Sequence, residues 1–394
     1  MLCTIAVRGW AQDEYIINEN FSGLTNGELV SNNIPESLQG WQFSEFCKGS
    51  LIKGNINNIA LKIEGSSTTK PYYKGYAITK PLLFEGDVFL SFIHAKTNKN
   101  DANVMMSLVI MNGGTFADDN LESKTLNVTK HIGDDTATAE SFTIVNVTND
   151  TKIKFETPEK KFFAIDDVIV TKIPFISISE TSSNTNITQN ATKTVTVNTV
   201  RTLTGGIWNT LCLPFDVTMS NLEQALGTGQ DVQLRTFTGY ADNVMAFTPA
   251  DEISAGTPFL IKLNTTVENP TFHAVTISNA PAATVTFDDV SFIGTYSPVD
   301  LKTDGTELFI TKNNTLSVPA ATTNTMNGMR AYIRVPGTFN PSAARLAIDE
   351  PTAIPAMNAD RPGRSAAIYD LSGRQVAHPR CGLYIVDNRL TFIK

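Results

Sequence analysis

Residues 161–173 read KFFAIDDVIVTKI, an apolar run that predicts a buried β-strand but carries two adjacent aspartates. Side chains of a pleated strand point alternately to its two faces. Simple alternation therefore predicts one face with Phe163, Ile165, Asp167 and Ile169, and a second face with Ala164, Asp166, Val168 and Val170. Whichever face meets the core, one carboxylate needs a partner, because an unpaired buried charge costs several kcal/mol.

Similar short runs fill the part of the chain before this strand. EYIINENF, GYAITKPLLF and DVFLSFIHA are separated by Gly-, Asn-, Asp- and Pro-rich stretches such as NKNDAN and MNGGTFADDN. Many short strands with turn signals between them are typical of antiparallel sandwiches and jelly rolls. The sequence therefore predicts an all-β fold, with an N-terminal antiparallel jelly-roll sandwich over residues 13–176.

A second β-rich, sandwich-like domain is predicted over residues 195–347. SNLEQALG is its one helical segment, with Ser220 or Asn221 as N-cap and Gly227 as terminator. Residues 177–194 are rich in Ser, Thr and Asn. They read as a linker or a polar edge strand, and we favour the linker.

Both ends of the chain carry shorter segments. Residues 348–364 hold three prolines and predict a second linker, and residues 365–394 predict a short C-terminal β-hairpin segment. Residues 1–12 resemble the remnant of a secretory leader, although an ordinary first strand is the alternative.

Composition narrows the function. A net charge of −8 and a pI near 5.1 exclude nucleic acid as the expected partner, since phosphate binding needs a basic face. No apolar run approaches the length of a membrane-spanning helix. The sequence holds no nucleophile elbow, P-loop, HExxH or dinucleotide fingerprint, so we expect no enzyme activity.

The paired aspartates suggest a cation. Calcium takes six to eight oxygen ligands from carboxylates and main-chain carbonyls. ENFSG, IPESLQGW and FAIDDVIV, in that order, resemble choice-of-anchor J or cleaved-adhesin domains, which are galactose-binding-like jelly rolls. The resemblance implies a structural calcium held by Glu19 and Asp166, with Asp167 as the alternative. Without metal, one aspartate would meet water or a loop amide.

Aromatic residues give the candidate ligand site. A sugar ring stacks on Trp or Tyr because its C–H face is apolar. We therefore predict ligand contacts by Trp41, Tyr72 and Tyr73, with a core role for Trp41 as the alternative.

Two further resemblances concern the rest of the chain. GGIWNTLCLPFDV, AGTPFLIKL, VSFIGTYSPVDL and MNGMRAYIRVP resemble a β-rich module of exported Bacteroides–Prevotella-type proteins. YDLSGR followed by GLYIV is similar to the C-terminal tails that direct secretion by the type IX route. These resemblances imply a secreted protein or one associated with the outer membrane and cell surface.

Together these features favour a non-enzymatic, adhesin-like surface protein that recognises a glycan, or a host or matrix protein, through the N-terminal jelly roll. One alternative is an accessory targeting subunit of a carbohydrate-degrading system, and another is a structural, fimbria-like subunit.

Overall fold

A computed structural model of the 394-residue chain describes residues 15–51, 59–66, 72–97, 103–131 and 137–348, and the strands within 368–393. The chain divides into two compact units, Met1–Ile348 and Asp349–Lys394. The predicted leader, residues 1–12, and nearly all of the predicted linker, residues 348–364, lie outside the described residues.

The first unit begins with twelve strands that form two sheets. They are β1 (Tyr15–Glu19), β2 (Gln42–Phe43), β3 (Lys48–Leu51), β4 (Ile59–Glu64), β5 (Gly75–Ile78), β6 (Gly86–Ala95), β7 (Val104–Met111), β8 (Thr115–Phe116), β9 (Ser123–Val128), β10 (Thr138–Val147), β11 (Lys152–Thr157) and β12 (Phe162–Ile173). Two single-turn 3-10 helices, Val30–Asn32 and Glu36–Leu38, lie between β1 and β2.

These strands pair antiparallel throughout. One sheet has the order β3-β4-β12-β6-β10-β8, with β1 also paired to β12, and the other has the order β2-β5-β11-β7-β9. A shared hydrophobic core joins them: Phe92 of β6 and Phe155 of β11 meet edge to face, with ring centroids 5.0 Å apart. The predicted all-β fold with an N-terminal antiparallel sandwich is confirmed.

The two aspartates of β12 mark a β-bulge. Pairing with β6 runs from Asp166 opposite Ile93 to Ile169 opposite Ser91, which leaves one extra residue on β12. Asp167 takes a left-handed backbone conformation, with φ +48°. The extra residue shifts the alternation by one position, as bulges do.

The bulge explains how this strand stays apolar on its inner face. Before it, Phe163 and Ile165 pack in the core, and after it, Val168 and Val170 pack in the same core. The prediction of simple alternation is therefore wrong beyond Asp166, because it assumed an unbroken pleat. Neither aspartate has to occupy a core position.

The remainder of the first unit holds nineteen short strands and two helices. The strands are β13 (Phe175–Ser179), β14 (Thr194–Val200), β15 (Thr202–Leu203), β16 (Trp208–Leu211), β17 (Val217–Thr218), β18 (Gln233–Ala241), β19 (Val244–Pro249), β20 (Glu252–Ile253), β21 (Phe259–Lys262), β22 (Val267–Glu268), β23 (Thr271–Thr276), β24 (Thr284–Phe287), β25 (Val290–Thr295), β26 (Val299–Asp300), β27 (Glu307–Ile310), β28 (Leu316–Ser317), β29 (Thr325–Met326), β30 (Arg330–Arg334) and β31 (Arg345–Ala347). The helices are α1 (Thr185–Gln189) and α2 (Met219–Leu226).

Two five-stranded sheets, β16-β21-β18-β19-β31 and β24-β25-β30-β27-β28, dominate this second β-rich region. A three-stranded sheet, β13-β14-β23, accompanies them, together with the two-stranded pairs β15-β22, β17-β20 and β26-β29. Two large hydrophobic clusters, one of which contains Trp208, and a smaller third one form the core of the described residues in this region. The prediction of a second β-rich region is confirmed.

Helix α2 lies where the sequence predicts a helix, but it begins earlier. Thr218 is the N-cap: its Oγ1 accepts a hydrogen bond from Asn221 N at 3.3 Å, and Asn221 Oδ1 accepts one from Thr218 N at 2.9 Å. This reciprocal capping box makes Asn221 the third helical residue, so the predicted N-cap at Ser220 or Asn221 is wrong. Gly227 follows the helix as predicted.

The span read as a linker, residues 177–194, contains the end of β13 and all of α1. Strand β13 is the outer strand of its sheet, and asparagine side chains cover its free edge. Asn184 Oδ1 accepts a hydrogen bond from Ser179 N at 2.9 Å, and its Nδ2 donates to Ser179 O at 2.8 Å. Asn186 Nδ2 donates to Ser177 O.

The second unit contains three described strands: β32 (Ile368–Tyr369), β33 (Gly382–Val386) and β34 (Arg389–Ile393). They form an antiparallel sheet in the order β32-β33-β34, in agreement with the predicted C-terminal hairpin. Across the described parts of the whole chain, no helix has the length and apolar character needed to cross a membrane.

Candidate functional site

The predicted metal ligands meet where β1 lies beside the β12 bulge. Glu19 stands opposite Val168 in the antiparallel register, one residue from the bulge. Glu19 and Asp166 are buried, at 5% and 1% exposure, whereas Asp167 is exposed. The structure thus brings together three carboxylates that lie up to 148 positions apart in the sequence.

Hydrogen bonds satisfy only part of this carboxylate group. Glu19 Oε1 accepts from Phe21 N at 2.6 Å, and Asp166 Oδ1 accepts from Asp167 N at 2.9 Å. The second oxygen of Asp166, Oδ2, is buried without a hydrogen-bond partner. A buried carboxylate oxygen in this state is costly, since burial takes away its water and supplies no donor.

The titration of the aspartates reflects this environment. Burial raises the pKa of Asp166 to about 7; the Asp167 amide opposes this rise, and the charges of Asp167 and Glu19 add to it. Partial burial also raises the pKa of Asp167. Asp166 is therefore stabilised by a proton, or by a cation that replaces the missing donor.

The donor set fits a hard cation only in part. Carboxylate oxygens suit calcium, and the unpartnered Oδ2 of Asp166 is available to it. Among the described residues, however, no group of three or more His, Cys, Asp or Glu side chains could hold a metal ion. A calcium ion held by Glu19 and Asp166 would therefore also need main-chain carbonyl or water oxygens.

Trp41 lies in the core of the sandwich and is 5% exposed. Its ring meets Phe21 edge to face at 5.8 Å and stacks with Phe43 at 6.1 Å. This placement matches the core role given as the alternative for Trp41, since a ring packed in this way has no free face for a sugar.

Tyr72 and Tyr73 lie in the loop that enters β5. The ammonium of Lys160 stands 3.7 Å from the centre of the Tyr72 ring, a cation–π contact that occupies one face. Tyr73 is 54% exposed. Of the three aromatic residues predicted to contact a ligand, Tyr73 has the most accessible ring.

A pocket of about 280 Å³ opens beside Tyr73. Its lining combines aromatic, hydroxyl and charged side chains: Ser44, Glu45, Phe46, Glu64, Ser66, Tyr73, Lys74 and Tyr76. Such a mixture of ring faces and hydrogen-bonding groups suits a polar, hydroxyl-rich ligand.

Lysine–carboxylate pairs fix the charges of this pocket. Glu64 Oε2 lies 2.9 Å from Lys62 Nζ and 3.2 Å from Lys48 Nζ. Glu156 pairs with Lys74 Nζ at 2.7 Å and also with Lys154. Each of the two carboxylates is therefore paired with two lysines.

Both carboxylates titrate accordingly. Burial acts to raise the pKa of Glu64 and of Glu156, but the paired lysines outweigh it and hold both pKa values below their ordinary range. Both are thus ionised at neutral pH, and Glu64, which lines the pocket, can accept hydrogen bonds from a ligand.

A second polar cluster links the sandwich to the second β-rich region. Asp87 of β6 is buried, and its Oδ1 accepts from Asn146 N at 2.9 Å. Its Oδ2 lies 2.7 Å from His273 Nδ1 of β23 and accepts from Thr196 Oγ1 of β14. Burial acts to raise the pKa of Asp87, but His273, Thr196 and Asn146 outweigh it and lower the pKa. A cleft of about 640 Å³ lies beside this cluster.

No protein-family model and no curated protein matches the chain. Solved structures do resemble it, at low similarity. One comprises the CBM22-1–GH10 modules of endo-1,4-β-D-xylanase 10B from Clostridium thermocellum, complexed with xylohexaose: 14% identity, TM-score 0.27, covering 42% of this chain and 33% of that one. The chain therefore spans about a third of that structure.

Two smaller structures are matched over nearly their whole length. The K3 cleaved adhesin domain of Lys-gingipain from Porphyromonas gingivalis w83 shows 15% identity and TM-score 0.26, covering 40% of this chain and 97% of that one. The CBM22-2 xylan-binding domain of Paenibacillus barcinonensis Xyn10C shows 18% identity and TM-score 0.25, covering 40% and 98%.

The similar structures are thus carbohydrate-binding and adhesin domains of the β class. At these TM-scores the likeness carries no functional argument. The resemblances to choice-of-anchor domains, to Bacteroides–Prevotella-type modules and to type IX tails stay predictions.

Several residues of these sites were not predicted from the sequence. Glu64 and Ser66 carry no motif, and they reach the Tyr73 pocket only because β4 ends beside β5. Asp87 and His273 are 186 residues apart. The one local signal was the aromatic run PYYKGY, which contains Tyr73 and Tyr76.

Proposed function

We propose that this chain is an exported, non-catalytic surface protein whose N-terminal sandwich binds a glycan at the Tyr73 pocket. The observation that carries the proposal is the exposed Tyr73 ring at the mouth of a pocket lined with hydroxyl and charged groups. An apolar sugar face can stack on the ring while its hydroxyl groups bond to the lining.

The charged lining fits this use. Glu64 is ionised and can accept hydrogen bonds from sugar hydroxyls, and Lys74 can donate to them. The pocket is small, just below the roughly 300–1,000 Å³ of small-molecule sites. It suits one or two sugar units at a chain end or branch.

A structural calcium at Glu19 and Asp166 belongs to the same proposal. It would neutralise the buried carboxylates and tie β1 to the closing strand β12. The unpartnered Asp166 Oδ2 supports it. Export and surface attachment rest on the leader-like start and the C-terminal resemblance in the sequence.

Glycan-array binding by the full chain, with and without calcium, tests this function. The decisive variant is Tyr73→Ala, which should weaken binding about tenfold or more, equivalent to ~1.4 kcal/mol. Because Tyr73 is exposed, this substitution should change the free energy of unfolding of the chain by less than about 0.5 kcal/mol.

Phe89→Ala is the matched control. Phe89 is also a surface aromatic residue, at 40% exposure, and it does not line the pocket. If Phe89→Ala weakens binding as much as Tyr73→Ala, the pocket is not the site. Failure of the wild-type chain to bind any glycan would overturn the proposal and favour a structural subunit.

A further inference from the structure

A separate pocket of about 320 Å³ lies in the second β-rich region, beside β16, β27, β29 and β30. Its polar lining consists of hydroxyl groups, side-chain amides and one guanidinium: Thr210, Thr323, Asn324, Thr325, Asn327 and Arg330. Arg330 is the one charged residue of the lining, and no carboxylate is among the described residues that form it.

A second arginine is buried next to this pocket. Arg201 Nη2 donates to the carbonyl of Thr210, a lining residue, at 2.7 Å, and Nη1 donates to Met329 O, beside Arg330. The Arg201 side chain is only 1% exposed. Arg330 therefore lines the pocket itself, and Arg201 lies outside the lining and holds the main chain at Thr210 and next to Arg330.

A single carboxylate serves both arginines. Glu180 Oε2 accepts from Arg330 Nη2 at 2.5 Å and lies 3.8 Å from Arg201 Nε. One positive charge is left over from the three groups. Burial lowers the pKa of Arg201 to about 9, with Arg330 adding to the effect and Glu180 opposing it. Arg201 thus stays charged at neutral pH.

Hydrogen-bonding capacity is also left over. Nε of Arg330, a lining residue, is buried without a hydrogen-bond partner. Nε of Arg201 has none either, but it lies outside the lining, 3.8 Å from Glu180 Oε2. Buried donors are normally satisfied, so an unused guanidinium N–H in the wall of a polar pocket points to an acceptor that comes from outside the chain.

We propose that this pocket binds an acidic sugar, with the carboxylate on Arg330 and the ring hydroxyls on the surrounding hydroxyl and amide groups. The excess charge and the absence of a lining carboxylate select an anion, although the chain as a whole carries −8. The hydroxyl and amide lining selects a polyhydroxylated ring over a bare anion. The volume suits a single ring.

This site does not rest on the Tyr73 pocket, which lies in the other β-rich region. Tyr73→Ala should leave acidic-sugar binding unchanged, so failure of one site can be told from failure of the other.

Saturation-transfer NMR on the full chain tests the proposal with sodium D-galacturonate, sodium D-glucuronate and sodium N-acetylneuraminate. Neutral D-galactose and sodium acetate are the comparison probes. We expect at least one acidic sugar to bind about tenfold more tightly than both, because the carboxylate and the ring each contribute contacts. The affinity should fall as salt is added.

Arg330→Gln should weaken this binding about tenfold or more. The control is Arg334→Gln, on the same strand and likewise paired with a glutamate, Glu307, at 2.9 Å, but outside the pocket. Should Arg330→Gln fail to fold because Glu180 loses its partner, Asn327→Asp places a negative charge in the lining and should abolish binding.

The proposal is overturned if none of the three acidic sugars binds, or if D-galactose binds as tightly as they do. Acetate binding of equal strength would reduce the site to a simple anion site and would also overturn it. Binding unaffected by both Arg330→Gln and Asn327→Asp would place the ligand elsewhere.

Discussion

Asp87 and Asp166 are buried carboxylates on neighbouring strands of one sheet, yet they titrate in opposite directions. Asp87 has three partners, Asn146, Thr196 and His273, and its pKa is lowered. Asp166 has one bonded oxygen and one unpartnered oxygen, and its pKa rises to about 7. Burial acts to raise the pKa of each, so the partners decide the sign of the net shift.

The difference separates two uses of a buried charge. Asp87 is a finished contact that links the sandwich to the second β-rich region and leaves no oxygen to spare. Asp166 is an unfinished contact, next to two other carboxylates. An unfinished contact costs stability unless a proton or a cation completes it, and that makes Asp166 the better place to look for a ligand.

The largest change in stability is expected from removing the Asp87 side chain and its three hydrogen bonds. Asp87→Ala should destabilise the chain by about 3 kcal/mol, since Asn146, Thr196 and His273 all lose their hydrogen-bond acceptor. Chemical denaturation at pH 7 measures this. Asp251→Ala, at an exposed aspartate, is the control and should change stability by less than about 0.5 kcal/mol.

The loss should depend on pH. A lowered pKa means that the stability contributed by Asp87 is present above its unfolded pKa, about 3.9, and disappears as pH falls through the lower folded value. The gap between wild type and Asp87→Ala should therefore narrow below about pH 4. A gap as small as that of the control at pH 7 would contradict the role given to this cluster.

A smaller change in stability, of the opposite sign, is expected at Asp166, which has one unpartnered oxygen. Asp166→Asn keeps the oxygen that accepts from Asp167 N and removes the charge. It should stabilise the chain by about 2 kcal/mol at pH 8 in calcium-free buffer.

The sign follows from the raised pKa. Below the unfolded pKa the wild-type Asp166 is protonated in both states and costs no stability. As pH rises from there to about 7, the unfolded chain ionises Asp166 while the folded chain keeps its proton, so stability falls across that window. The advantage of Asp166→Asn should therefore vanish near pH 4, as equilibrium unfolding across pH 4–8 would reveal. An advantage that does not change with pH would contradict the assignment.

Calcium should produce the smallest effect. After chelation, added calcium at about five times its Kd should stabilise the wild-type chain by about 1 kcal/mol, read as a rise in Tm. Asp166→Asn and Glu19→Gln should reduce the response, and magnesium serves as the control ion. An unchanged melting temperature would remove calcium from the proposed function and leave the proton as the partner of Asp166.

Local sequence patterns predicted the fold well, because most of its strands can be recognised from their composition and from the turn residues beside them. The all-β class, the two β-rich regions and helix α2 all follow from such patterns. The bulge did not, because alternation assumes a regular pleat and no local rule places an extra residue at Asp167 and not at a neighbour.

The sites were predicted only in part. Asp166 and Asp167 were predicted as site residues because they are charges in an apolar strand. Tyr73 was predicted because it belongs to an aromatic run. Glu64, His273 and the pair Arg201–Arg330 acquire their roles from contacts between distant segments. Such contacts depend on sheet order, which composition and spacing do not encode.

The asparagine cover on β13 bears on how copies of this protein can associate. An outer strand with free main-chain groups is a template on which another chain can add a strand. On β13, Asn184 and Asn186 already occupy Ser177 O, Ser179 N and Ser179 O. Intermolecular strand addition at this edge would have to displace side chains held by their own fold. Around Ser177 and Ser179 the edge is therefore protected against the addition of a strand from another copy of the chain.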